Sequence, residues 1–132
     1  MNLAAVTAFH AAGLRHVHEF GALRPEVQGM LVEWLVAQEL WRRAAWDATA
    51  DPEAIGFWRS KKHEVDFVTA GGEWIEVKTG KAGPLDFRCF AKAFPRGRLT
   101  VICPTPFETD HIRGVTLHDF LLAGPSRVTR EG

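Results

Sequence analysis

Glu64-Val65-Asp66-Phe67-Val68-Thr69-Ala70-Gly71-Gly72-Glu73-Trp74-Ile75-Glu76-Val77-Lys78 is the stretch on which the fold turns. Polar and apolar residues alternate on both sides of Ala70-Gly71-Gly72, the two-residue period of strands joined by a tight turn, and glycine supplies the positive φ such turns need. A three-residue loop pairs Thr69 with Glu73 and therefore Asp66 with Glu76, and directly paired residues share a sheet face. Glu76 and Lys78, two apart on one strand, share that face too, while Ile75 and Val77 point the other way into apolar packing. Two carboxylates and an ammonium then converge. A two-residue loop shifts the register by one and puts Asp66 and Glu76 on opposite faces, so turn length decides the reading.

Carboxylates brought together repel, and proteins resolve this by binding a cation or holding a proton between them. Ligation by oxygen alone suits magnesium (or manganese), which keeps several waters and accepts phosphate oxygens. A lysine beside it can orient or deprotonate the attacking water. That is the chemistry of phosphodiester hydrolysis. A third carboxylate, Glu33, lies upstream on an apolar helix where Gly29, Met30, Val36 and Ala37 occupy the positions three and four away. None of these can form an ion pair, so Glu33 needs a partner off the helix. A metal site on the sheet beneath would satisfy it; so would a buried Arg or Trp donor.

Working outward, residues 3–12 are Ala-rich and helical in character, and residues 15–25 read as a connector. Pro25 then opens the main helix, predicted over 26–46, in which Val27, Met30, Leu31, Trp34, Leu35, Gln38 and Trp41 follow helical spacing. Its middle turns have no fully polar face, so it should be sandwiched between other elements. The period then changes to alternation over 55–59, 65–69, 74–78 and 99–103, four predicted strands. Residues 84–94, with Leu85, Arg88, Cys89, Lys92 and Ala93 at helical spacing, separate the last two and end at Pro95 and Gly97. A crossover of that kind makes the flanking strands parallel, so the sheet is mixed. A short strand around Val115 and a helix over 117–122 complete an α/β (α+β) domain spanning 1–124, with a disordered tail expected over 125–132.

Composition sets bounds on this reading. A chain of 132 residues with 46% hydrophobic and 24% charged residues is long enough to bury a core without disulfides or metal, which excludes wholesale disorder and fibrous architecture. The opening uncharged run is too short and alanine-rich to span a bilayer, and a soluble, cytoplasmic protein is expected. Cys89 and Cys103 lie in apolar settings without metal-ligand spacing and read as reduced packing residues. Sixteen basic and sixteen acidic side chains give zero net charge, yet residues 59–98 carry nine of the former and five of the latter. Arg59, Lys61, Lys62 and Lys81 form a candidate nucleic-acid-binding rim; the alternative is an ordinary solvated surface. Trp58 and Trp74 fit core packing better than base stacking. The six histidines are scattered, and His63, beside Glu64 and Asp66, is the one placed to touch a phosphate.

An acidic residue on one strand and Glu-x-Lys on the next strand of the same hairpin, here Asp66 and Glu76-Val77-Lys78, resembles the signature of the PD-(D/E)XK, restriction-endonuclease-like nuclease superfamily. More narrowly, Gly29-Met-Leu-Val-Glu33, Leu40, Trp58-Arg59, Glu64-Val-Asp66-Phe, Glu76-Val-Lys78 and Gly114-Val-Thr-Leu-His-Asp-Phe-Leu121 are similar to the nuclease-like domain that follows the ATPase module of many prokaryotic AAA-type ATP-binding proteins. The likeness spans roughly residues 10–122. It implies an αβββαβ core with a mixed sheet flanked by helices, magnesium held by Glu33, Asp66 and Glu76, and Lys78 assisting the water as the fourth catalytic residue, with DNA as substrate. Val65 stands where the superfamily has its namesake proline, which carries no ligand. No Gly-x-x-x-x-Gly-Lys-Ser/Thr phosphate loop occurs, so the chain is expected to act alone or as a piece detached from, or partnering, an ATPase. The competing expectation is a module that keeps the fold and binds nucleic acid or protein without chemistry.

Overall fold

The computed structural model describes residues 14–46, 51, 54–61 and 63–124. The expected helix over 3–12 and tail over 125–132, together with His10 and Lys62, lie outside the described residues. Within the predicted connector, Val17–Gly21 forms a short helix, α1. Its start is closed by the Glu19 carboxylate, which accepts the backbone N–H groups of Arg15 at 2.6 Å and His16 at 3.0 Å. A five-residue helix is too short to leave a periodic pattern.

The main helix, α2 (Pro25–Trp46), begins at the proline that marks it, and no residue from Val27 to Leu40 is exposed, as its all-round apolarity requires. Three strands follow, β1 (Gly56–Arg59), β2 (Glu64–Val68) and β3 (Trp74–Val77). The predicted crossover helix divides into a 3-10 turn over Pro84–Phe87 and α3 (Arg88–Ala93), because Asp86 bonds back to the Gly83 N–H at 2.9 Å and tightens the first turn. Then come β4 (Leu99–Ile102), β5 (Phe107–Glu108), β6 (Ile112–Val115) and α4 (Leu117–Leu122). Thr116 caps α4 by accepting the Asp119 N–H at 3.1 Å.

One six-stranded sheet results, in the order β1-β2-β3-β4-β6-β5. The first three strands are antiparallel neighbours, β3, β4 and β6 run parallel, and β5 pairs antiparallel to β6. The predicted mixed sheet and the element order αβββαβ are thus present; the two-residue β5 is an addition that alternation over so short a run cannot announce. The β2–β3 turn has the predicted length: Phe67 pairs Ile75 and Val68 pairs Trp74, Thr69 N–H donates to the Glu73 carbonyl, and Gly72 N–H donates to that of Thr69. Gly72 takes φ +80°, the left-handed residue that closes a three-residue hairpin loop.

Apolar residues fill both sheet faces. On one, Val65, Leu99, Val101 and Ile112 pack under Phe87 and Phe90 of the crossover, joined by Trp58, Trp74 and Phe94. Those two tryptophans sit in an aromatic cluster, 5.2 Å and 4.2 Å between centroids from Phe94, as core packing predicts. On the other face, Ile75, Val77 and Ile102 meet Val36 and Leu40 of α2 and Phe120 of α4. Each such side chain, fully buried, stabilises the fold by roughly 1.5–3 kcal/mol. At the far edge Phe107 lies over Gly114 so closely that a Cβ there would stand 2.5 Å from the ring.

Candidate functional site

Asp66, Glu76 and Lys78 meet where the β2–β3 ladder opens. The regular register ends at Phe67–Ile75. Val65 belongs to the cluster under the crossover, whereas Phe67 packs on the α2 face. Residues two apart on a regular strand share a face, so β2 is irregular at Asp66, and this corrects the expected directly opposed Asp66–Glu76 pair. The neighbouring β1–β2 ladder also shifts register between Gly56 and Trp58. Side chains replace the missing main-chain bonds: Asp66 Oδ2 accepts the Val77 N–H at 2.8 Å, and Glu76 Oε2 accepts the Asp66 N–H at 3.3 Å. Lys78 closes the group with its Nζ 2.5 Å from Glu76 Oε1, and its own backbone N–H donates to Ile102 at 2.8 Å, which anchors the end of β3 to β4.

Glu76 is 5% exposed, a buried charge in need of compensation. Burial pushes its carboxyl above the ordinary value; the Lys78 hydrogen bond opposes this and the nearby Asp66 adds to it. Asp66 is raised first by burial, against the Val77 N–H and Lys78, with Glu64 adding repulsion. Glu33, half-buried on α2, is raised by burial and then by Asp66, with Lys78 opposing. For Lys78, burial alone would lower the ammonium, but Glu76, Asp66 and Glu33 together raise it. Burial is thus the first cause of the raised proton affinity of all three acids, with their mutual repulsion a smaller one that Lys78 opposes.

Two cavities flank this group. One of about 380 Å³ is lined by Glu33, Trp34, Phe57, Arg59, Glu64 and Asp66, among others. The second, about 250 Å³, is walled by Trp58, Phe87 and Phe90 and edged by His63, Glu64, Glu76 and Lys78. Glu33 therefore faces Asp66 as the sequence predicts, and among the described residues it forms no ion pair. The buried ion pair of α2 involves a different acid: Glu39 receives Arg42 at 2.7 Å and Arg43 at 2.8 Å.

For a divalent cation the donor chemistry fits in kind: oxygen ligands only, on carboxylates. In the placement described, the carboxylates are turned onto protein donors, and among the described residues no three His, Cys, Asp or Glu side chains are grouped as a ligand set.

Of the basic residues singled out in the sequence, Arg59 lines the larger cavity. Lys61 and Lys81 are exposed and line neither cavity. His63 borders the second one, as does half-buried Cys89, which is less buried than its apolar setting suggests. Cys103 is buried, its thiol bonded to the Thr105 carbonyl at 3.2 Å. Sequence reasoning missed Glu64, which borders both cavities and receives Arg59 at 2.6 Å. The signal was there: Arg59 and Glu64 are symmetric about the 60–63 tip, and a hairpin pairs them.

No described helix is long and apolar enough to cross a membrane. No curated protein and no solved structure matches the chain. A family match does cover residues 28–117, a span that holds Glu33, Asp66, Glu76 and Lys78 together with the sheet that carries them. The chain belongs to the family described as a domain of unknown function, DUF4143.

Proposed function

We propose that this chain is a magnesium- or manganese-dependent nuclease-like domain of the PD-(D/E)XK type, hydrolysing DNA phosphodiester bonds in the cytoplasm, alone or beside an AAA-type ATPase. The observation that carries the reading is the grouping of the side chains: Glu76 lies 2.5 Å from the Lys78 ammonium and accepts the Asp66 N–H, while Asp66 and Glu33 line one cavity. The three carboxylates would hold the ion, which supplies Lewis acidity and a bound water of lowered pKa. Lys78, held by Glu76 and half-exposed, orients the attacking water and stabilises charge building on the phosphate. Arg59 receives a neighbouring phosphate at the mouth of the larger cavity.

Incubation with plasmid and single-stranded DNA in magnesium or manganese tests this. Wild type should cleave, and Asp66→Ala and Lys78→Ala should each lose about a thousandfold. Cleavage undiminished in both variants sinks the assignment. A second reading, a module that keeps the fold without chemistry, is favoured by one observation: the bonds that tie the Glu76 carboxylate to the Asp66 N–H and the Asp66 carboxylate to the Val77 N–H. Calorimetric titration with either ion separates the two. The nuclease binds an ion through Asp66; the inert module shows no binding that Asp66→Ala removes.

A further inference from the structure

Arg59 and Glu64 face each other across the β1–β2 hairpin, with Arg59 Nε 2.9 Å and Nη2 2.6 Å from the same oxygen, Glu64 Oε2. Their tip is clasped by Ser60 and His63, main chain to main chain at 2.7 Å and through the Ser60 hydroxyl in both directions. The pair therefore stands on a braced support. Both residues line the 380 Å³ cavity with Glu33 and Asp66, and Glu64 also borders the second cavity with Glu76 and Lys78. Glu64 charge is felt by Glu33 and by Asp66.

We infer that Glu64 is an internal stand-in for phosphate: its carboxylate occupies the Arg59 guanidinium until a phosphodiester of a nucleic-acid strand displaces it. This deepens the proposed function and rests on its reading of the cavity as the place where the strand lies. The physical case is one of competing partners. Arg59 and Glu64 are 68% and 53% exposed, and an exposed ion pair contributes little, so releasing it is easy. A guanidinium presents its fork equally well to a carboxylate and to a phosphate. With Glu64 in place the Arg59 charge is neutralised, so the cavity wall offers no net positive charge to offset the repulsion of a free anion by Glu33 and Asp66. When a strand arrives on Arg59, Glu64 is released toward the acids already crowded there and increases their demand for a cation. Strand binding and ion binding then support each other.

The test is binding of a fluorescent single-stranded oligonucleotide in excess chelator, where cleavage plays no part, measured against salt for wild type, Glu64→Gln, Glu64→Asp, Arg59→Gln and Arg59→Gln/Glu64→Gln. Glu64→Gln should bind about two- to fivefold tighter, at a salt slope close to that of the wild type, because Arg59 meets the same phosphate in both. The double variant should lose that gain. Glu64→Asp, with its charge kept and its reach shortened, should show part of it. Unchanged or weaker binding by Glu64→Gln overturns the inference, as does equal tightening in the double variant, which would make Glu64 a general repulsive charge. Absence of oligonucleotide binding in every variant overturns it too. A wild type that cleaves through Asp66 while Glu64→Gln binds no tighter removes this inference alone. A wild type that does not cleave while Glu64→Gln tightens as stated removes only the nuclease reading.

Discussion

Glu33 and Glu39 stand less than two turns apart on α2 and are treated in opposite ways. Glu39 is buried, yet Arg42 and Arg43 reach it from one turn further on, and Arg43 also donates to the Phe120 carbonyl and stacks 4.3 Å from the Phe120 ring centroid. Its carboxyl is lowered, first by the Arg42 hydrogen bond. Glu33 has no cation of its own; burial and Asp66 raise it. One carboxylate is satisfied from its own helix, and through Arg43 that pair fastens α2 to α4; the other stands half-buried beside Asp66 and is the one the proposed function assigns to an ion.

The comparison can be broken most severely at the active-site end, where Asp66→Ala or Lys78→Ala should remove about three orders of magnitude of DNA cleavage, read on plasmid gels, while Arg43→Ala leaves turnover per folded molecule unchanged. Next in size is stability. Arg43→Ala leaves Glu39 to Arg42 alone and severs the tie to Phe120, and chemical denaturation should show a loss of about 1.5–3 kcal/mol. Third is the ion: 10 mM magnesium acting on a site of about 1 mM dissociation constant adds about 1.4 kcal/mol, a melting shift of about 5 °C, absent in Asp66→Asn and intact in Glu39→Gln. No shift in the wild type would collapse the distinction between the two acids.

The smallest effect carries the sharpest sign. A carboxyl raised in the folded state contributes stability below its unfolded value, here 4.5, and loses it as pH rises through the folded value. Glu33 therefore costs stability at neutral pH. Glu33→Gln should melt higher than wild type by an amount that grows from pH 4 to pH 7 and stays within about 1 kcal/mol, since solvent screens a half-buried group. Glu39, being lowered, contributes above 4.5 and loses its contribution as pH falls, so Glu39→Gln should be most harmful at neutral pH. Equal pH trends in the two variants would refute the contrast.

Much of this was legible in the residue order, and the exceptions have physical causes. Pro25 and the apolar middle turns mark α2, and Ala70-Gly71-Gly72 fixes the hairpin register because Gly72 takes the left-handed conformation the turn demands. The irregularity at Asp66 left no such mark. It involves no glycine or proline, and it is held by the side chains of Asp66 and Glu76 taking main-chain donors, a competition that alternation cannot register. Glu39 was legible in principle from Arg42 and Arg43 at spacings of three and four. Its neighbour Glu33 drew notice because it lacked such partners. The 3-10 turn over Pro84–Phe87 depends on Asp86 bonding back to Gly83, a local choice hidden within otherwise helical spacing.

Phe107 resting on bare backbone at Gly114 also bears on how the molecule behaves among its own copies. β5 is two residues long and, among the described residues, is the strand that covers the outer edge of β6. The ring's contact with Gly114 helps hold it there, because the missing side chain lets strand and ring close on one another. Were that small cover lifted, the unpaired amides and carbonyls of β6, beside buried Ile112, would be open to pairing with another sheet. With a methyl group in place of hydrogen at the Gly114 α-carbon, the Phe107 ring would have to move off β6.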